Sequence, residues 1–134
     1  MMSFAEKEEH EIITDTIKDT LTKHDITGIR ADDKEHKDEL LNNIKIYMHC
    51  CDFGIAVFEK IQSDYFNPNV VFEVGYMYGL QKKICLLKGK SLKSLHTDLI
   101  PKLYKEFDTS KIETDINQGL TQWLNDYSKK IYPE

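Results

Sequence analysis

The chain has no apolar run long enough to cross a membrane. A span takes roughly 18 or more consecutive apolar residues, and nothing here approaches that length. A secretory leader is not expected, because Met1-Met2-Ser3-Phe4 passes at once into Glu6-Lys7-Glu8-Glu9 with no apolar stretch between. Cysteine is sparse: Cys50, Cys51 and Cys85 only. An odd count without framework spacing argues for reduced thiols in a cytoplasmic protein. Neither Cys-x-x-Cys nor His-x-x-x-His occurs, so no metal is expected and the cysteines read as small buried thiols. Basic residues are outnumbered, 18 against 23, for a net charge of -5. With no excess of Lys and Arg to neutralise phosphates, a nucleic acid is not the expected partner. The local basic pieces, Lys82-Lys83 and Lys88 to Lys93, read as solvated surface. There is no internal repeat, low-complexity stretch or linker, and 134 residues suit a single domain over 1–134.

What is present is an alternation of helix and strand patterns. Ile12, Ile13, Ile17 and Leu21 recur at three- and four-residue steps, predicting a helix from Glu6 to His24 that Asp25 ends. Thr27-Gly-Ile-Arg30 reads as a short strand. Leu40, Leu41, Ile44, Tyr47 and Met48 mark a second helix. Phe53 to Phe58 is a continuous apolar run, typical of a strand buried on both faces. A third helix is expected from Asn67-Pro68 to about Gln81, then a buried strand at Ile84-Cys-Leu-Leu87. Leu92 to His96 reads as one helical turn, Leu103 to Phe107 as a short edge strand, and Ile112 to Ile131 as a terminal helix. Trp123 reads as core and all five histidines as surface or loop residues. Such alternation predicts an α/β fold: a flavodoxin-like three-layer sandwich around a parallel sheet of four to five strands. Its first strand is barely begun at Ser3-Phe4 and would be truncated.

The block Asn67-Pro68-Asn69-Val70-Val71-Phe72-Glu73-Val74-Gly75-Tyr76-Met77-Tyr78-Gly79-Leu80 concentrates the chemistry. Asn67 suits a helix N-cap and Pro68 the first helical position; a start one turn later, with Asn69 as cap, is the alternative. Glu73 is a lone carboxylate in a helix otherwise apolar, small or aromatic, near a helix start whose partial positive charge favours its ionised form. Gly75 and Gly79 each weaken the helix by roughly 1 kcal/mol against Ala, which suggests close approach of a strand or a ligand. Ligands of open α/β sheets bind at the carboxyl ends of strands. The loops at Ser3-Phe4, Arg30 to Asp33 and Glu59 to Asn69 would converge there.

The stretch from Asp52 to Leu87, with Asn67-Pro-Asn-Val70, Glu73-Val-Gly-Tyr76 and Ile84-Cys-Leu-Leu-Lys88, resembles bacterial TIR-like (Toll/interleukin-1 receptor-like) nucleotide-binding domains. More distantly it is similar to nucleoside 2-deoxyribosyltransferases. The resemblance extends to Gly28-Ile-Arg-Ala-Asp-Asp-Lys34 and to Asp98-Leu99 with Leu103-Tyr-Lys-Glu-Phe-Asp108, nearly the whole chain. It implies a TIR-like fold and an N-glycosidic bond as target. Glu73 falls at the family glutamate that acts in releasing nicotinamide from NAD, or in attacking the anomeric carbon in the transferases. A carboxylate can stabilise or capture the oxocarbenium-like ribose cation that such cleavage builds, and departing nicotinamide needs no general acid. The resemblance therefore implies an NAD glycohydrolase or cyclase, with NAD as substrate and no cofactor, homo-oligomeric on activation and serving as an antiphage defence effector or signalling module. The alternatives are a deoxyribosyltransferase-like enzyme and a non-catalytic nucleotide-binding or self-assembling module. Candidate substrate contacts are Phe4 and Tyr76 (stacking on a base), Ser3 and Asp32 (ribose or nicotinamide), Arg30 (phosphate), and Asn67 and Asn69 (sugar). Each also has an ordinary reading: core or rim for the aromatics, a salt bridge for Arg30, capping for Asp32 and the asparagines.

Overall fold

The computed structural model describes residues 1–2, 8–30, 40–59, 68–90, 92 and 104–131. The elements run α1 (Glu8–Lys23), α2 (Leu40–Cys50), β1 (Phe53–Phe58), α3 (Pro68–Gly79), β2 (Lys83–Gly89), β3 (Tyr104–Phe107) and α4 (Ile112–Ile131). The three strands form a parallel sheet in the order β1-β2-β3, with Phe53 opposite Lys83 and Leu86 opposite Tyr104. The architecture is α/β and fits the flavodoxin-like class.

Side-chain alternation along the strands divides the core. Val57, Cys85, Leu87 and Phe107 meet Ile13 and Leu21 of α1 and Ile112, Ile116, Leu120 and Leu124 of α4. Ala56, Phe58, Ile84 and Leu86 face the other way, onto Met48 of α2 and Val70, Val74 and Met77 of α3. Helices thus cover both faces, as parallel strands require. Trp123 is partly buried beside the first cluster and stacks on Tyr127 with centroids 5.1 Å apart. Two helices end on a left-handed residue. Asp25 (φ 58°) closes α1, with Ile26 N–H donating to Leu21 O at 2.9 Å; Gln81 (φ 60°) closes α3, with Lys82 N–H donating to Met77 O at 3.0 Å. Both are 6→1 Schellman bonds that satisfy last-turn carbonyls.

Several expectations need correction. The sheet has three strands among the described residues, not four to five. Residues 26–30 form no ladder, so Thr27–Arg30 is not a strand. Among the described residues, Met1 pairs with the edge of β1 that faces away from β2. Its N–H donates to Ile55 O and its carbonyl accepts from Val57 N–H, both at 2.8 Å, the pattern of one parallel pair centred on Ala56. Gly75 and Gly79 do not bring α3 close to anything: a Cβ at either would meet nothing within 4 Å. The helix starts at Pro68, as the Asn67-Pro68 signal predicts. Leu92 is buried, with its N–H on Gly89 O; the rest of the expected turn at Leu92 to His96 lies outside the described residues.

Candidate functional site

A cavity of about 350 Å³ runs along the edge of β1 that faces away from β2. That volume lies within the range of small-molecule sites. One wall is α1: Thr14, Ile17, Lys18 and Leu21 share a face at three- and four-residue steps. The 26–30 segment continues this wall and brings Arg30, whose Nη1 donates to Thr14 Oγ1 at 3.3 Å. A Cβ at Gly28 would stand 2.8 Å from Leu21 Cδ1, so a larger residue there would require that methyl group to shift. The opposite wall is α2 and α3, with Ile44, Met48, Glu73 and Met77; the floor is Met1 and the backbone of Phe53, Gly54 and Ile55.

Glu73 and Arg30, both candidates from the sequence, therefore line one cavity. Its position differs from the expected one. The cavity follows the edge of β1 that faces away from β2 down to Asp52, instead of sitting at the carboxyl ends of the strands. Glu73 occupies the sixth position of α3, past the first turn in which the helix dipole acts strongly. Burial pushes its carboxyl above the ordinary value of 4.5, and the α-ammonium of Met1 pulls it partly back. The ionisation expected from the helix start is thus opposed by desolvation, the larger influence here.

The other candidates divide. Tyr76 does not line the cavity; its hydroxyl pairs with His49 Nε2 at 2.9 Å, tying α3 to α2. Asn69 is exposed in the first turn of α3. Ser3, Phe4, Asp32 and Asn67 lie outside the described residues.

Four groups differ from their sequence readings. His10 is 1% exposed and its Nε2 lies 3.0 Å from Glu59 Oε1, so it is no surface residue. Its signal was present: the helical period through Ile13, Ile17 and Leu21 runs back to His10. Lys88 is buried, its Nζ 3.5 Å from Glu106 Oε1, and Lys82 Nζ donates to His49 O (2.9 Å) and Cys51 O (2.6 Å), so neither is plain solvated surface. Of the cysteines only Cys85 is buried; Cys50 is exposed and Cys51 half-buried, and both line the cavity. Among the described residues no three His, Cys, Asp or Glu side chains are grouped to hold a metal, and no helix is long and apolar enough to cross a membrane. Comparison with protein-family models, with curated proteins and with solved structures finds no match.

Proposed function

We propose that the chain is a TIR-like NAD-consuming enzyme that cleaves the N-glycosidic bond of NAD, as a glycohydrolase or cyclase, and works as an antiphage defence effector or signalling module. The observation that carries this reading is Glu73, a half-buried carboxylate on the wall of a cavity that also holds Arg30 and Thr14. A carboxylate drawn out of bulk water interacts strongly with a developing ribose cation, and a guanidinium in the same cavity suits the pyrophosphate. The apolar lining of Ile44, Met48 and Met77 suits a flat base. Ile46 and Phe72, exposed on α2 and α3, offer apolar surface for the homo-oligomer that goes with activation.

Nicotinamide release from NAD, followed by chromatography, tests the reading. Glu73→Gln is expected to lower turnover by at least the roughly hundredfold typical of losing a key charge-stabilising group. Equal turnover in the two proteins would overturn it. A second reading is nucleotide binding without turnover, with Glu73 contacting a ribose hydroxyl in the same cavity. Saturable NAD binding with no nicotinamide released by the assembled protein would select that reading. Base exchange between a deoxynucleoside and a free base would instead select the transferase-like alternative.

A further inference from the structure

The edge of β1 that floors the cavity already carries one parallel pair. Met1 N–H donates to Ile55 O and Met1 O accepts from Val57 N–H, which sets Met1 opposite Ala56. Alternate residues of a strand in a parallel sheet bond to the same neighbour. Phe53 O and Ile55 N–H therefore point to the side that Met1 occupies, into the cavity lined by Phe53, Gly54 and Ile55. They are spaced to receive one more residue, opposite Gly54, one ladder step toward Asp52.

We propose that the cavity is a docking groove for the C-terminal tail of a partner polypeptide, whose last three residues, all apolar, lie parallel to β1 opposite Phe53, Gly54 and Ile55 and whose terminal carboxylate meets Arg30. This goes beyond the nucleotide reading and does not rest on it; tail and nucleotide exclude each other from the same space.

Backbone, apolar surface and charge each select that occupant. A strand added to a sheet edge gains main-chain hydrogen bonds at fixed spacing. Here the tail residue opposite Gly54 donates to Phe53 O and accepts from Ile55 N–H. Residues opposite each other in parallel strands face the same side of the sheet: Met1 packs with Ala56 in the cluster of Met48 and Met77, and Met2 packs with Val57 in that of Ile13 and Leu21. The tail residue opposite Gly54 thus faces Ile44, Met48 and Met77, and its two neighbours face Ile17 and Leu21. A strand covered on both faces is apolar throughout. Met1 fills the next ladder position, so the tail stops opposite Ile55. Arg30 stands at that end. Its Nη1 donates to Thr14 Oγ1 at 3.3 Å, and the Thr14 hydroxyl donates to Met2 Sδ at 3.4 Å. A guanidinium there suits a carboxylate, which it can bind in bidentate fashion. Glu73, on the opposite wall, disfavours an anion on its own side and leaves the Arg30 side to the carboxylate. The rest of the partner leaves past Asp52, which is exposed.

The test titrates acetyl-Gly-Ser-Ser-Val-Leu-Val, with a free C-terminus, into the whole chain and follows NMR shifts and amide hydrogen exchange. Saturable binding with a Kd below about 1 mM and slowed exchange at the Ile55 amide are expected. Amidation of the C-terminus should weaken binding at least roughly tenfold, the size of a lost hydrogen bond to a charged group. N-methylation of the leucine, which removes the donor to Phe53 O, should weaken it about two- to tenfold. In Arg30→Met the acid and the amide should bind alike, and an unchanged Kd for the amide shows that the variant is folded. No saturation, no protection at Ile55, equal binding of acid and amide by the native protein, or an N-methyl peptide that binds as well as its parent would each overturn the proposal. NAD is then added to the peptide complex. Displacement supports a shared cavity. A peptide left in place counts against the nucleotide reading alone, because the exchange and acid–amide measurements have already decided the docking.

Discussion

Glu73 carries two opposed demands. Burial raises its pKa, so desolvation opposes the ionised form that would stabilise a ribose cation, while the Met1 α-ammonium favours it. The consequence for stability has a definite sign. Below the ordinary value of 4.5 the group is protonated in both states and contributes nothing. As pH rises from there to the higher folded-state value, the unfolded chain gives up the proton first and stability falls; above that value the loss is complete. Glu73→Gln should therefore stabilise the protein at neutral pH and flatten this fall. Denaturant titrations from pH 4 to pH 8 check it, and a less stable glutamine variant at pH 7 would refute it. Turnover should rise with pH through the same raised pKa. Gly75 gives a second prediction. With nothing within 4 Å of its Cβ position, Gly75→Ala should gain up to roughly 1 kcal/mol of helix propensity in thermal unfolding. The sequence reading gave this glycine a packing role because composition shows that a helix carries glycine but not which way that side of the helix faces.

Elements are held in place by a few polar contacts that act between segments distant in sequence. His10 in the first turns of α1 and Glu59 at the end of β1 form a buried pair 3.0 Å apart. Removing the imidazole takes a polar partner from the buried Glu59 side chain, a loss of about 1–3 kcal/mol. His10→Ala should show that loss in the denaturation midpoint, and a change below about 1 kcal/mol would mean that the pair contributes little. Arg30 and Thr14 join the 26–30 segment to α1, His49 and Tyr76 join α2 to α3, and Lys82 joins the start of β2 to the end of α2. None of these was legible beforehand, because each depends on which helix faces bring partners together. The helices themselves were legible. The Asn67-Pro68 start, the Asp25 stop and the period of Ile112, Ile116, Leu120 and Leu124 are local signals that need no partner to be read.

At the scale of the whole molecule, the sheet divides the core into two layers of helix contact, and α4 closes one of them. Leu120, fully buried between α4 and the strands, should lose about 2–5 kcal/mol on truncation to Ala through lost transfer energy and the cavity left behind. Urea titration with an unchanged slope would place that loss in the native state. The other large-scale feature is the edge of β1 that faces away from β2, where Met1 supplies one parallel pair and the cavity occupies the space beside it. The sequence by itself determined the α/β class, the four helices and three strands that the structure describes, and the edge position of β3, because hydrophobic period, caps and apolar runs are short-range properties. It also singled out Glu73, as a charge set among apolar neighbours. Only the tertiary structure decided that 26–30 makes no ladder, that His10 is buried, and that the cavity lies along the strand edge. It alone raised the pKa of Glu73 and brought Cys50 to the same cavity. The reason is physical: strand pairing, desolvation and shared cavities are made by residues tens of positions apart, and no local pattern records where those residues meet.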